Sequence, residues 1–527
     1  MKRNTYTLVS ALLGVFIGVM ACLICVRLAG PSKKFDGDYN RWRKLNLILE
    51  QVEENYVDTI DQKAMTDAAV MAALGKLDPH SVYLPPVELK ESETELAGNF
   101  DGIGIQFNVP NDTAIVLSVI PGGPSEKAGL LQGDRIIRVD DKVIAGMKTP
   151  QDSMVRLMKG PSGSKVKIVV NRDGEQIPFD ITRGKIPVHC VDAAFMIDAE
   201  TGYIKLAKFT RTTYVEFISA VSRLRAQGMN HLIFDLRENT GGYLDQAYML
   251  CNEFLEKDDK VVYMQGLHRS RSDLDADGKG TLKDVKLSVL IDEGSASSSE
   301  IFAGAMQDND RGVIIGRRSF GKGLVQEPIN FTDGSGLRLT VARFYTPSGR
   351  CIQKPYGDDY AYDIYERYAH GELTDADSIK VNRDDVYYTV GGRAVYGGGG
   401  IIPDIFVPMD TTRASTFYIQ CSKKATTMRF ASAMFDKYRS ELIQIDDFGQ
   451  LEHWLDARHL DRQFLDYAAA KDGLKPGPGE WKESEEYMMV QIKALVGRYS
   501  KVGEEAFYRF YIGIDKTLQE ALKTHAL

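Results

Sequence analysis

Residues 286–326 read KLSVLIDEGSASSSEIFAGAMQDNDRGVIIGRRSFGKGLVQ. KLSVLID is an apolar run of strand length, and Gly294, Ser295, Ala296 and Ser297 make a tight turn of small residues. SSEIFAGAMQDND follows with helical composition, and GVIIG is a second short apolar run. Strand, turn, helix and strand in that order argue a layered α/β core. A serine at the N-terminus of such a helix stands at the end of a buried strand, beside free amides that stabilise developing negative charge. The same residues also fit a serine-rich helix cap, so this stretch alone leaves nucleophile and cap both open.

The alternation extends towards the N-terminus. TGYIKLAKF is a strand candidate, EFISAVSRLRAQG a helix closing at Gly228, NHLIFDLR a buried strand and LDQAYMLCNEFLEK another helix. From about 98 to 185 the texture is different. GIGIQF, AIVLSVI, DRIIRVD, KVKIVVNRDG and IPFDITR are short β-type runs punctuated by glycine, and TPQDSMVRLMKG between them reads as one helix capped by Thr149 or Asp152. In GIGIQF, the residues Gly102, Ile103, Gly104 and Ile105 precede a strand whose free amides can hold a carboxylate while its edge accepts an added peptide. A glycine-containing hairpin is the plainer reading of that segment.

The flanks are helical. Leu45, Ile48, Leu49 and Val52 have helical spacing, as do Ala68, Met71 and Leu74 or Ala72, which predicts two short packed helices ended by the prolines of LDPHSVYLPP. Past 411 the chain is almost wholly helical in pattern: FASAMFDKYRSEL, QLEHWLDARHLDRQFLDYAAAK, YMMVQIKALVGRYS and a last helix to the end, with KPGPGEW as a break. The domains expected are therefore 1–34, a membrane anchor or signal segment; 35–97, a helical region; 98–185, a β-rich module; 186–410, the α/β core; and 411–527, a helical domain.

Length and composition narrow the function classes. At 527 residues the chain exceeds one hydrophobic core, and 43% hydrophobic with 26% charged residues leaves little room for long disordered tracts. A net charge of −8 without a basic stripe argues against nucleic acid as a partner. The charge-free run from 4 to 26 is long enough to cross a bilayer, and it reads as an uncleaved anchor. A cleaved signal peptide and lipidation at Cys22 are the competing readings. Basic residues on both sides of the run, Lys2 and Arg3 against Arg27, Lys33 and Lys34, leave its orientation open. Cys25 lies in the same run, and the other four cysteines, Cys190, Cys251, Cys351 and Cys421, are isolated without CxxC spacing, so neither a disulfide scaffold nor a structural metal site is expected.

A serine nucleophile needs a base. Of the 8 histidines none stands in a motif-like setting, and His231, at a strand start before Asp235, is the nearest candidate. Lys322, between Gly321 and Gly323, is the alternative, because its backbone can approach a neighbouring segment closely. A lysine base requires an amine pKa lowered by burial from about 10.4. Phe320, Leu324 and Val325 are the residues available to desolvate it, and Gln326 is placed to direct the amine.

PGGPSEKAGLLQGDRIIRVDD resembles the internal signature of PDZ domains, with Pro124, Ala128, Gly129, Leu130, Gly133, Asp134 and Ile136 in the family's order. GSASSSEIFAGAMQDN with SFGKGLVQ resembles the carboxyl-terminal processing (tail-specific) proteases, serine peptidases that use a serine and lysine dyad. The resemblance implies Ser297 as nucleophile, Lys322 as base and Gln326 as the lysine's support, with Ser295, Ser298 and Ser299 as scaffold. HLIFDLRENTGGYLDQA resembles the turn that completes the oxyanion hole, which implies the amide of Ser298 with that of Gly241 or Gly242. Ser298 and Thr240 depart from the commoner alanine and proline or glycine. LDPHSVYL, LRLTVARFYTPSGRCIQ and GIIPDIFVP follow in the family's order.

By the same resemblance the core is a crotonase- or Clp-protease-like layered α/β fold, needs no metal or organic cofactor, and lies in the bacterial cell envelope on the periplasmic side of the cytoplasmic membrane. Its expected partners are proteins or peptides with accessible C-termini, held through Gly102, Ile103, Gly104 and Ile105. The tyrosine- and acid-rich stretch 354–399 and the helical tail depart from the shortest relatives, and are candidates for gating or for a homo-oligomer contact. A non-catalytic PDZ scaffold on a protease-like core is the rival reading.

Overall fold

The computed structural model describes residues 41–109, 112–357 and 360–524. The run 4–26, with its anchor, signal and lipidation readings, lies outside them. Among the described residues no helix is long and apolar enough to cross a membrane. The chain divides into two compact units, residues 1–73 and 74–527.

In the first unit, helices Arg41–Asn55 and Gln62–Leu74 form where the apolar spacing predicts. The packing expected of them does not follow: Leu45, Ile48 and Met71 are exposed, and no residue of the second helix is buried. Two short helices supply no further layer to close over their apolar stripes.

The second unit is built on a six-stranded sheet whose spatial order follows the chain: β1 (Val191–Met196), β2 (Thr201–Leu206), β3 (His231–Asp235), β4 (Lys286–Ile291), β5 (Val313–Gly316) and β6 (Ile405–Phe406). β1 and β2 are antiparallel and every later pair is parallel. Parallel neighbours require crossovers. Three helices lie within them: α1 (Thr213–Arg225) before β3, α2 (Leu244–Phe254) before β4 and α3 (Ser298–Asp308) before β5.

Strands β3 and β4 are continuous apolar runs because both faces of the sheet are covered. Leu232, Phe234, Leu287, Val289 and Ile291 join Phe217, Leu224, Phe254 and Phe302 in one core. Ile233, Leu290 and Ile315 face the other way, against Leu518 and Ala521 from the last helix, Lys516–Lys523. The end of the helical tail is thus a wall of the α/β core.

The rest of the tail has a core of its own, centred on Phe417, Phe430, Phe435, Phe464, Met488 and Ile492. Two of its expected helices are each two. The run 450–471 breaks at His459, which has φ +47, and the final run breaks at Asp515, whose carboxylate accepts from the Leu518 N–H to start a new helix.

Residues 98–187 form the β-rich module. Asn99–Gly102 pairs antiparallel with Gly184–Pro187 at its neck. Beyond the neck lie Ile105–Asn108, Ala114–Val119, Arg135–Val139, Lys165–Arg172 and Glu175–Thr182, hydrogen-bonded in that order. Ile105–Asn108 is an end strand paired on one side only, and Gly104 before it has φ +79. The expected helix spans Gln151–Met158, but neither Thr149 nor Asp152 caps it: the preceding residue is Pro150, with no side-chain cap bond. A proline's fixed φ starts the helix without one. The tail meets this module where Phe435 packs over Gly133 and Arg439 bonds to the Gln132 carbonyl.

A second sheet is made of Val82–Leu84, Lys260–Gly266, Arg269–Asp275, Leu324–Asn330 and Gly336–Tyr345. A further helix that the sequence pattern did not predict, Pro86–Leu96, begins at Pro86 itself, in its first turn, where a missing N–H costs nothing.

Candidate active site

The turn after β4 holds Ser297 at φ +55 and ψ −113, a backbone conformation that β-carbon-bearing residues rarely adopt. Its neighbours hold it there. Ser295 Oγ donates to the Leu236 carbonyl at 2.8 Å, Ser299 Oγ to the Asn239 carbonyl at 2.8 Å and Ser298 Oγ to the Gly242 carbonyl at 2.9 Å. Three of the serines are thus spent on backbone acceptors from the 236–242 turn, and Ser297 is left on the cleft.

The lysine loop reaches the same cleft by close backbone approach. A β-carbon on Gly323 would lie 2.8 Å from the Gln353 nitrogen, and Gly321 has φ +89. Lys322 is half-buried, and its Nζ donates to Gln326 Oε1 at 3.0 Å. Burial, and then the Arg338 guanidinium, lower the amine's pKa, while Glu300 and Asp78 oppose them. No hydrogen bond joins this amine to Ser297 here, a looseness common before substrate tightens a site.

One carboxylate ties the two halves together. Glu300, fully buried on the first turn of α3, accepts from the Ser297 N–H at 2.9 Å, the Gly321 N–H at 2.7 Å, the Lys322 N–H at 2.8 Å and Ser319 Oγ. Burial pushes its pKa up, and these four donors pull it back. The sequence reading passed over Glu300, although a serine followed three residues later by glutamate is a helix-start signal.

Opposite Ser297 lies the glycine turn. A β-carbon on Gly241 would meet the Ala296 carbonyl at 2.6 Å and the Ser298 nitrogen at 2.9 Å, and one on Gly242 would meet the Phe209 carbonyl at 1.9 Å. Both positions must be glycine for the turn to touch the nucleophile. Their amides differ: the Gly241 N–H is bound to Asn239 Oδ1 at 2.9 Å, whereas those of Gly242 and Ser298 make no hydrogen bond among the described residues. The turn is anchored by Arg237, which pairs with Asp235 and, at 2.7 Å, with Asp515 from the C-terminal wall. Arg237 and Lys205 hold the buried Asp235 carboxyl well below the ordinary range, against burial that would raise it.

The cleft has a volume of about 820 Å³ and brings together Ser297, Ser298, Gly241, Gly242, Lys322 and Gln326, with Leu89 and Leu96 from Pro86–Leu96 on its wall. His231 is elsewhere. It is buried at the opening end of β3, paired with Lys286 at the start of β4, with Nε2 2.9 Å from Ser288 Oγ. Ser297 follows the other end of β4, so a histidine base at 231 is ruled out by the topology. Gly102, Ile103, Gly104 and Ile105 lie in the β-rich module, Gly102 closing the neck strand, Ile103 buried, and Ile105 opening the end strand.

The sequence matches the description Peptidase family S41 over residues 200–362 and PDZ domain over residues 102–182. It is 36% identical over 347 residues to a carboxy-terminal-processing protease of Bartonella bacilliformis, covering 64% of this chain and 78% of that one. The chain belongs to peptidase family S41. It is 33% identical over 328 residues to the carboxy-terminal processing protease CtpA of Bacillus subtilis, covering 62% and 70%. A solved photosystem II D1 C-terminal processing protease is 27% identical, with a TM-score of 0.38 over 74% of this chain and 92% of that one. Within family S41 the chain is a serine peptidase of the carboxy-terminal-processing group, with a PDZ domain built in.

Proposed function

We propose that this peptidase captures the C-terminal tail of a protein or peptide on the open edge of its PDZ domain, at Gly102, Ile103, Gly104 and Ile105, and cleaves an upstream amide with Ser297 and Lys322. The observation that carries this reading is the Lys322 amine: half-buried, directed by Gln326, lowered in pKa by burial, and on the same cleft as a serine held in a strained turn. Lys322, neutral at the start, takes the Ser297 proton as Oγ attacks the substrate carbonyl carbon. The oxyanion receives the N–H groups of Gly242 and Ser298. The protonated lysine gives its proton to the departing amine, the C–N bond breaks, and an acyl-enzyme remains. Water, deprotonated by Lys322, then attacks the ester and restores the serine.

The charge-free run 4–26 supports attachment to the cytoplasmic membrane of a bacterium with the catalytic unit on the outer, periplasmic side. Protease accessibility of the second unit in intact spheroplasts tests that placement.

Cleavage of an unfolded reporter carrying a free apolar C-terminus, beside its amidated form, tests the function. The reading predicts cleavage lost in Ser297→Ala and reduced by amidation. No cleavage by the wild type would instead favour the non-catalytic PDZ scaffold, and cleavage that survives Ser297→Ala would remove Ser297 as the nucleophile.

A further inference from the structure

The stretch 354–399 does more than cover the core. Tyr360, at the start of a short 3₁₀ turn, places its hydroxyl 2.6 Å from His80 Nε2 and 3.4 Å from Gln353 Nε2. Each of those residues is one bond away from the lysine loop. The His80 carbonyl accepts from Gln326 Nε2, and Gln326 Oε1 in turn accepts from Lys322 Nζ. Gln353 Oε1 accepts from the Gly323 N–H at 2.9 Å.

We infer that Tyr360 is a positioning residue for the lysine base, its hydroxyl joining the two struts that fix Lys322: the His80–Gln326 strut on the amine and the Gln353–Gly323 strut on the backbone. The inference rests on the proposed role of Lys322.

The parts around this junction are rigid enough to transmit a position. Asp78 Oδ1 accepts from the His80 and Ser81 N–H groups at 2.8 Å each, and Ser81 Oγ accepts from the Thr340 N–H at 3.1 Å, so the turn bearing His80 is riveted to the second sheet. The Tyr360 ring is fixed independently of its hydroxyl, against Phe320 and under Lys354 Nζ, 4.2 Å from the ring centre. Lys354 is held in turn by Asp363 at 3.0 Å. Replacing Tyr360 by Phe therefore removes the junction and leaves the packing.

The imidazole is suited to accept from the phenol. Burial, with Lys322 and Lys354 nearby, brings the His80 pKa down to about 4 against the pull of Asp78, so the ring is neutral when the enzyme works. Burial keeps Tyr360 a phenol, at about 12. The charged groups facing Lys322 itself are Arg338, Glu300 and Asp78.

The test compares the full chain with Tyr360→Phe, His80→Ala, the double variant, Ser297→Ala and Lys322→Ala, measuring kcat, KM and the pH profile of kcat/KM. Tyr360→Phe should lower kcat about tenfold with KM changed less than about twofold. The rise of activity with pH should move upward, because a loosened Gln326 lets water reach the amine and restores its pKa towards the ordinary value. His80→Ala cuts the same link from the other side, so the double variant should be no worse than His80→Ala alone. Tyr360→Phe with wild-type kcat and an unmoved profile would overturn the inference, as would a further tenfold loss on top of His80→Ala. If Lys322→Ala stays active, the base assignment itself fails; an inactive Lys322→Ala beside a silent Tyr360→Phe sinks the Tyr360 inference alone.

Discussion

The two halves of the proposed catalytic pair are supported in opposite ways. Ser297 stands on a strand-to-helix turn, and its strained backbone is held by the adjacent turn at 236–242 and by its own helix through Glu300. Lys322 stands on a loop, and beyond Glu300 and Gln326 its supports come from far along the chain: His80, Gln353 and Tyr360, with the Arg338 guanidinium helping to lower its pKa. Ser297 is placed at the end of a buried strand and the start of a helix, by short bonds from its immediate neighbours and Glu300. The base is placed by a chain of side-chain bonds, each worth about 1 kcal/mol and each able to loosen. Control over activity is therefore easier to exert on the lysine than on the serine.

That contrast can be broken most directly at the serine. Ser297→Ala should lower kcat/KM by about four orders of magnitude or more, with Tm shifted by no more than a few degrees. A comparable remaining rate would mean that another serine reacts, although Ser295, Ser298 and Ser299 are all committed to backbone carbonyls.

Lys322→Arg comes next, with a loss of about a thousandfold, since a guanidinium cannot be deprotonated at working pH. On the proposed mechanism the active form of the wild type is the neutral amine. Its pKa is lowered by burial, so activity should be low where the amine is protonated, rise as pH climbs through that lowered pKa, and level off above it. A profile flat from mildly acidic pH upward would contradict a lysine base.

Glu300→Gln sharpens the comparison because it strikes both halves. The amide cannot accept from all of the Ser297, Gly321 and Lys322 N–H groups and Ser319 Oγ, so kcat should fall about a hundredfold and stability by about 3 kcal/mol in denaturant unfolding. Loss of activity without loss of stability would show that the two loops are held together by something else.

Asp515→Asn should have the smallest effect, a fall in kcat of about threefold with KM unchanged, transmitted through Arg237 to the glycine turn. The same network sets acid sensitivity. Because Asp235 is held well below its ordinary pKa in the fold, its contribution to stability is complete above about pH 4 and is lost as pH falls through the lower, folded-state value. Denaturant unfolding measured from pH 6 downward should show that loss, weakened in Asp515→Asn.

Legibility from sequence divides along the same line. The α/β core followed from KLSVLID, NHLIFDLR and the helices between them, because strands buried on both faces keep their apolar signal whatever covers them. That Ser297, Lys322 and Gln326 would share a cleft was legible because each sits in a compact motif. Glu300 lay inside one of those motifs and was overlooked. His80, Tyr360 and Asp515 could not be assigned roles, since nothing in DPHS or in a tyrosine-rich insertion says which distant side chain it will meet. For the same reason the tail read as a candidate for gating or an oligomer contact, with no sign that Leu518 and Ala521 close the far face of the core sheet. At the glycine turn the local pattern left two amides open, and only the Asn239 bond to the Gly241 N–H distinguishes them.

The central claim is that Ser297 is activated by a neutral Lys322. The rate at which a fluorophosphonate phosphonylates Ser297, Oγ displacing fluoride from phosphorus, across pH in the wild type and in Lys322→Ala, measures that activation without any dependence on the PDZ domain or on a natural substrate. Labelling should rise with pH through a pKa below that of an ordinary lysine and collapse in Lys322→Ala. Labelling of equal rate in both proteins, or independent of pH, would contradict it.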